Sequence, residues 1–157
     1  MTTELLTATE RYCTFWVGDL FFGVDVEQVQ EVLRYQEMTV VPQAPESVRG
    51  LINLRGQIVT AVDLRCRLGL PAREDDTLPM NVIVRSRGEV VSLLVDDIGD
   101  VMEAGDRVPE PVPANLPGAV ASALLGVIPL PETILLVLDA NRAVERRSQD
   151  RSDRRNQ

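Results

Sequence analysis

The chain has 157 residues, 45% of them hydrophobic and 25% charged, with a formal net charge of −8. A chain of this length suits one domain or two small packed subdomains, and it can bury roughly 68–70% of its unfolded surface without a disulfide or metal staple. Its acidic balance repels nucleic-acid backbones and anionic membrane surfaces, so neither nucleic acid nor direct membrane insertion is expected.

In chain order, residues 1–11 read as a flexible N-terminus, and the absence of a basic region followed by an apolar block marks this segment as no secretory signal. Strand-like runs follow at 12–17 and 20–26, with Gly18-Asp19 as a tight turn between them. In 26–33, Val26, Val29 and Leu33 are spaced by three and four, which fits a helical turn or two. Alternation with a kink fits the same residues. Further runs at 51–54, 58–64, 81–85, 90–95 and 134–138 read as strands, and Arg87-Gly88 marks a second tight turn. Asp63 is placed to cap a short turn over 64–68, and Asp139 to cap a helix over 140–147. Glu74-Asp75-Asp76 reads as a solvated linker. Residues 145–157, with five Arg against three acids, read as a solvated charged tail, with a basic interaction arm as the alternative. The longest apolar stretches are broken by Gly126, Pro129 and Pro131 and fall far short of the roughly 20 residues of a spanning helix, so a cytoplasmic protein is expected.

An internal repeat organises these elements. Residues 50–63 align without gaps on 126–139, an offset of 126 − 50 = 76, with Gly, Ile, Leu, Ile and Asp recurring identically. Val24, Val26, Val29, Glu31 and Val32 align on Leu93, Val95, Ile98, Asp100 and Val101 at an offset of 93 − 24 = 69. Two collinear matches indicate duplicated β-subdomains, expected at 12–80 and 81–144, the second including the start of the C-terminal helix. Many short strands with tight turns point to small barrels or sandwiches.

The residue inventory is poor in chemistry. All 16 basic residues are arginine, so there is no histidine base, no Walker lysine and no Schiff-base amine. Dispersed glycines make no phosphate cradle, and zinc-type spacing is absent. Cys13 and Cys66 have no CxxC spacing and read as two reduced thiols, with a disulfide as the alternative. The densest carboxylate group, Asp96-Asp97-Ile98-Gly99-Asp100, is compatible with a hard cation but reads better as a strand end and turn. A binding function, with no cofactor and no catalytic residue, is the expectation; a carboxylate-metal enzyme is the alternative.

The segment 15–32 and the run Pro45-Glu-Ser-Val-Arg-Gly-Leu-Ile-Asn-Leu-Arg-Gly-Gln-Ile-Val-Thr-Ala-Val-Asp-Leu-Arg65 resemble the CheW family of chemotaxis coupling proteins, and 90–101 continues the likeness. The resemblance spans about 11–144. It implies two SH3-like five-stranded β-barrel subdomains with short helices. It also implies a scaffold that joins the regulatory domain of a CheA-type histidine kinase to the cytoplasmic tip of methyl-accepting chemoreceptors. A non-motility chemosensory pathway is a variant of the same reading. By position, the family's receptor-contacting groove falls on Val29, Glu31, Gly50, Arg55 and Gly56, with Val91, Ser92 and Leu93 from the second half; kinase-contacting residues are not assigned. Gly50 and Gly56 either admit a partner helix or serve turns. Ser92 stands where the family often has Gly and Thr60 where it often has Pro, so Ser92 is expected to add a side chain to the groove wall.

Overall fold

Gly18, Arg55 and Arg87 all adopt positive φ (60°, 51° and 51°), and each folds a strand back on its neighbour. At Arg55-Gly56 and Arg87-Gly88 both central residues have positive φ, as a two-residue type I′ turn requires. The computed structural model describes residues 10–74 and 76–144. Within them lie ten strands: β1 (Glu10–Val17), β2 (Leu20–Asp25), β3 (Val29–Leu33), β4 (Val48–Leu54), β5 (Gln57–Asp63), β6 (Met80–Ser86), β7 (Glu89–Val95), β8 (Asp97–Gly105), β9 (Leu124–Pro129) and β10 (Ile134–Leu138). The helices are short, at Leu64–Arg67, Gly118–Ala121 and Ala140–Val144. The segment read as one or two helical turns is a single 3-10 turn, Val26–Gln28, after which Val29–Leu33 pairs with β6. The remainder of the expected terminal helix and the charged tail lie outside the described residues.

The strands form two five-stranded sheets, in the orders β8-β1-β2-β10-β9 and β3-β6-β7-β5-β4. The sheets do not follow the expected division into 12–80 and 81–144. Hairpin β1–β2 joins three strands of the second half, and hairpin β6–β7 joins three strands of the first. The reason is the parallel pairing of each hairpin with the last strand of the opposite half: Thr60 faces Val91, and Leu136 faces Phe22. The offsets are again 136 − 60 = 76 and 91 − 22 = 69. Strands related by the repeat thus hold equivalent places in the two sheets, and each half gives its first hairpin to the other's sheet.

Three apolar clusters follow from strand alternation. Val91, Leu93 and Val95 of β7 meet Phe15, Phe22 and Leu136 in a core shared between the sheets. Leu94, on the opposite face of β7, joins Ile52, Val59, Ala61 and Ile83 in a cluster private to its own sheet. Tyr12, Ile128, Leu135 and Val137 make the matching private cluster of the other sheet. A sheet that buries a core on its own inner face is curled, as in an SH3-like barrel. Each barrel stays open, since the first and last strands of each order are not hydrogen-bonded neighbours among the described residues. No helix among the described residues is long and apolar enough to cross a membrane.

Candidate protein-interaction site

The turn Leu54-Arg55-Gly56-Gln57 projects Arg55 into solvent, its side chain 73% exposed. Asn53 fixes the turn by accepting the Gly56 amide at 2.9 Å on Oδ1. Arg55 Nη2 donates to Glu31 Oε2, and this pair links the tip of the β4–β5 hairpin to β3, the strand at the opposite edge of the sheet. Arg55 reaches Glu31 through Nη2 alone among the described residues, so the rest of its planar donor fork is available to a carboxylate. Ile58, the second residue of β5, is 62% exposed. Arginine is enriched in protein-contact faces, and Ile58 follows Arg55 three residues along the same hairpin as an exposed apolar side chain.

The expected groove residues divide sharply on this geometry. Glu31, Arg55 and Gly56 come together at one surface, and Val29 packs beneath against the shared core. Gly56 has open space where a Cβ would stand, and its φ of 89° suits the turn. Gly50 is buried: a Cβ there would lie 2.6 Å from the Thr39 carbonyl oxygen. Its openness serves the chain's own segment, which exchanges two 2.8 Å bonds between Thr39 and Leu51, and leaves no path for a partner helix.

Val91, Ser92 and Leu93 do not form a groove wall. They are 8%, 0% and 0% exposed, because both faces of β7 are covered, one by the shared core and one by the private cluster. Ser92 Oγ donates to Asn81 Oδ1 at 2.7 Å, and Asn81 Nδ2 donates to the Arg34 carbonyl at 3.0 Å. The hydroxyl is therefore satisfied internally.

Of the carboxylate group at 96–100, expected as a strand end and turn, only Asp96 lies between strands, and Asp97 to Asp100 open β8. Asp96 accepts from Arg65 (Nη2 at 2.6 Å), from Arg73 (Nη2 at 2.9 Å) and from the Gly18 amide at 2.6 Å. Burial alone would raise this carboxyl, but the Arg65 guanidinium, the Gly18 amide and the Arg73 guanidinium overcome it and hold the group at about 2. A cleft of about 400 Å³ borders this cluster, lined also by Glu74 and Leu78. Cys13 and Cys66 are free thiols. Burial pushes both up, with Asp25 adding to the effect at Cys13 and Glu46 at Cys66, which keeps them protonated and poorly nucleophilic at neutral pH.

Ile58 and the Arg65–Asp96–Arg73 cluster escaped the sequence reading. Ile58 carried one signal, its recurrence as Ile134 in the repeat, and the structure leaves both exposed, at 62% and 51%. The cluster had none, since its members lie 23 and 31 residues apart.

The CheW-like domain family profile matches residues 11–148. The chain belongs to the CheW-like domain family. The chemotaxis protein CheW of Rhizobium meliloti is 34% identical over 110 residues, covering 70% of this chain and 71% of its own. That of Bacillus subtilis is 28% identical over 148 residues, 94% of either chain. In fold, this CheW-family chain matches the crystal structure of the scaffolding protein TtCheW from Thermoanaerobacter tengcongensis with a TM-score of 0.79 at 24% identity, covering 89% of this chain and 95% of that one.

Proposed function

We propose that the chain is a CheW-type adaptor that couples the cytoplasmic tip of a chemoreceptor to a CheA-type histidine kinase, through the kinase's regulatory domain. The observation that carries this reading is the family match along 11–148, which leaves almost nothing of the described chain outside the adaptor fold. It acts by binding, in the cytoplasm at receptor arrays, and performs no chemistry of its own. The receptor-facing contact is Arg55 with Glu31, Gly56 and Ile58, backed by Val29. Glu31 holds the guanidinium plane so that its free edge meets a receptor carboxylate. An exposed pair of this kind contributes only about 0–1 kcal/mol to folding, so its position reflects recognition more than stability.

The test is copurification of the full chain with receptor cytoplasmic fragments and with kinase regulatory domains from the same organism. The adaptor reading expects both classes to be retained, and a ternary complex when both are present. Retention of neither class contradicts it.

A further inference from the structure

The chain passes from one sheet to the other only twice among the described residues, between β2 and β3 and between β7 and β8. The two passages are equivalent in the repeat, since 96 − 27 = 69, but they are held differently. The first is the 3-10 turn Val26–Gln28, secured locally by Asp25 Oδ1 accepting the Glu27 amide at 2.9 Å. Glu27 itself is exposed. The second consists of one residue, Asp96, between the end of β7 and the start of β8.

Three separate segments converge on that residue. Gly18, in the β1–β2 turn of one sheet, donates its amide to Oδ2 at 2.6 Å. Arg65, on the helix that follows β5 of the other sheet, donates through Nε at 3.0 Å to Oδ1 and through Nη2 at 2.6 Å to Oδ2. Arg73, in the segment leading to β6, donates to Oδ1 through Nε at 3.1 Å and Nη2 at 2.9 Å. The Asp96 amide also donates to the Trp16 carbonyl at 2.9 Å. All three side chains are largely withdrawn from water, with 12–21% exposure.

The shared apolar core already keeps the sheets together, but apolar attraction is non-directional and tolerates a change of angle. The two guanidinium forks, both from the β3-β6-β7-β5-β4 side, hold the Asp96 carboxylate in one orientation, and the Gly18 amide and the Trp16 carbonyl bind that residue to the other sheet; these contacts are directional and do not. We propose that Asp96 is a positioning residue: it fixes the angle between the two sheets, and so the relation between a partner held on one and a partner held on the other. The second clause rests on the adaptor reading above; the first does not.

The test uses the full chain with Cys13 and Cys66 replaced by Ser, and spin labels on the exposed positions Arg85→Cys (β6) and Glu103→Cys (β8), one per sheet. The label-to-label distance is expected to be narrow with Asp96 present and shifted or broadened in Asp96→Ala. The exposed neighbour Asp97→Ala is expected to leave it unchanged. Asp96→Asn, which keeps the shape and one acceptor oxygen, serves if Asp96→Ala does not fold. In the Asp96 variants, affinity for each partner alone is expected to hold, while receptor control of the kinase falls about fivefold or more, the lower end of ordinary coupling between sites. An unchanged distance distribution overturns the clamp, and a changed distance with full kinase control overturns its role in coupling. A parent chain that binds neither partner contradicts the adaptor reading instead, and the distance alone then decides the clamp.

Discussion

Asp63 and Asp139 do the same work twice, 139 − 63 = 76 residues apart. Each closes a hairpin and accepts the amide two residues ahead, Arg65 at 3.0 Å and Asn141 at 2.9 Å. Each donates its own amide to a carbonyl sixteen residues behind, Ser47 at 2.7 Å and Ala123 at 2.9 Å. Each faces an arginine, Arg49 at 2.8 Å and Arg142 at 3.5 Å. The environments differ in burial, with side-chain exposures of 2% and 17%. Asp139→Ala is therefore expected to lose about 1 kcal/mol, an ordinary cap, and Asp63→Ala about 2 kcal/mol, because Arg49 loses a buried partner as well. Urea denaturation of the two variants, fitted with a common slope, checks the order.

Gly50 and Gly126 form a second equivalent pair. A Cβ would meet the Thr39 carbonyl oxygen at 2.6 Å in the first case and the Glu110 carbonyl oxygen at 2.7 Å in the second. Those carbonyls belong to segments already bonded to Leu51 and Val127, so neither can retreat freely. Each Gly→Ala change is expected to destabilise by about 1–3 kcal/mol, the usual cost of overpacking, and thermal melts of the single variants measure it.

The sequence disclosed the strands whose faces are both buried and, of the edge strands, only part of β4. In β7, apolar residues on two faces make an unbroken run. β8 is an edge strand with much of its length exposed, so its residues read as a turn, and only the pairing of Cys13 with Val101 and Tyr12 with Met102 makes it a strand. β3 is likewise an edge, where the spacing of Val29 and Leu33 imitated a helix. The repeat was legible because it is local; the hairpin exchange was not, because parallel pairing of β5 with β7 and of β10 with β2 leaves no mark within any one segment. Family likeness located Glu31 and Arg55 together, but could not tell exposed Arg55 from buried Leu93.

Ser92 gives a test of that distinction. Removing its hydroxyl in Ser92→Ala strands the buried Asn81 Oδ1, at an expected cost of about 1–3 kcal/mol. Receptor affinity of the folded variant is expected to be unchanged, since the side chain meets only the interior. Isothermal calorimetry below the melting range separates the two effects, and a selective loss of receptor affinity would contradict the burial of this position.

Acid stability reads the Asp96 cluster. The folded carboxyl lies at about 2 against an ordinary 3.8, so the unfolded chain takes up the proton first as pH falls. Its stabilisation is complete above roughly pH 4 and disappears as pH drops through about 2. At roughly 1.4 kcal/mol per unit, reduced by solvent screening of a partly exposed group, the shift amounts to about 1–2 kcal/mol. The stability gap between the native chain and Asp96→Asn is expected to be constant from neutral pH to mildly acidic conditions and to close below that. A gap independent of pH down to the acid limit would contradict the assignment.

The most direct measurement of the central claim is receptor-fragment binding by Arg55→Glu, with kinase-domain binding and melting temperature followed on the same sample. The adaptor account expects receptor binding to fall by about tenfold or more, as loss of a charged contact at an interface does, while the other two readings stay near those of the native chain. Undiminished receptor binding by a folded Arg55→Glu protein would contradict it.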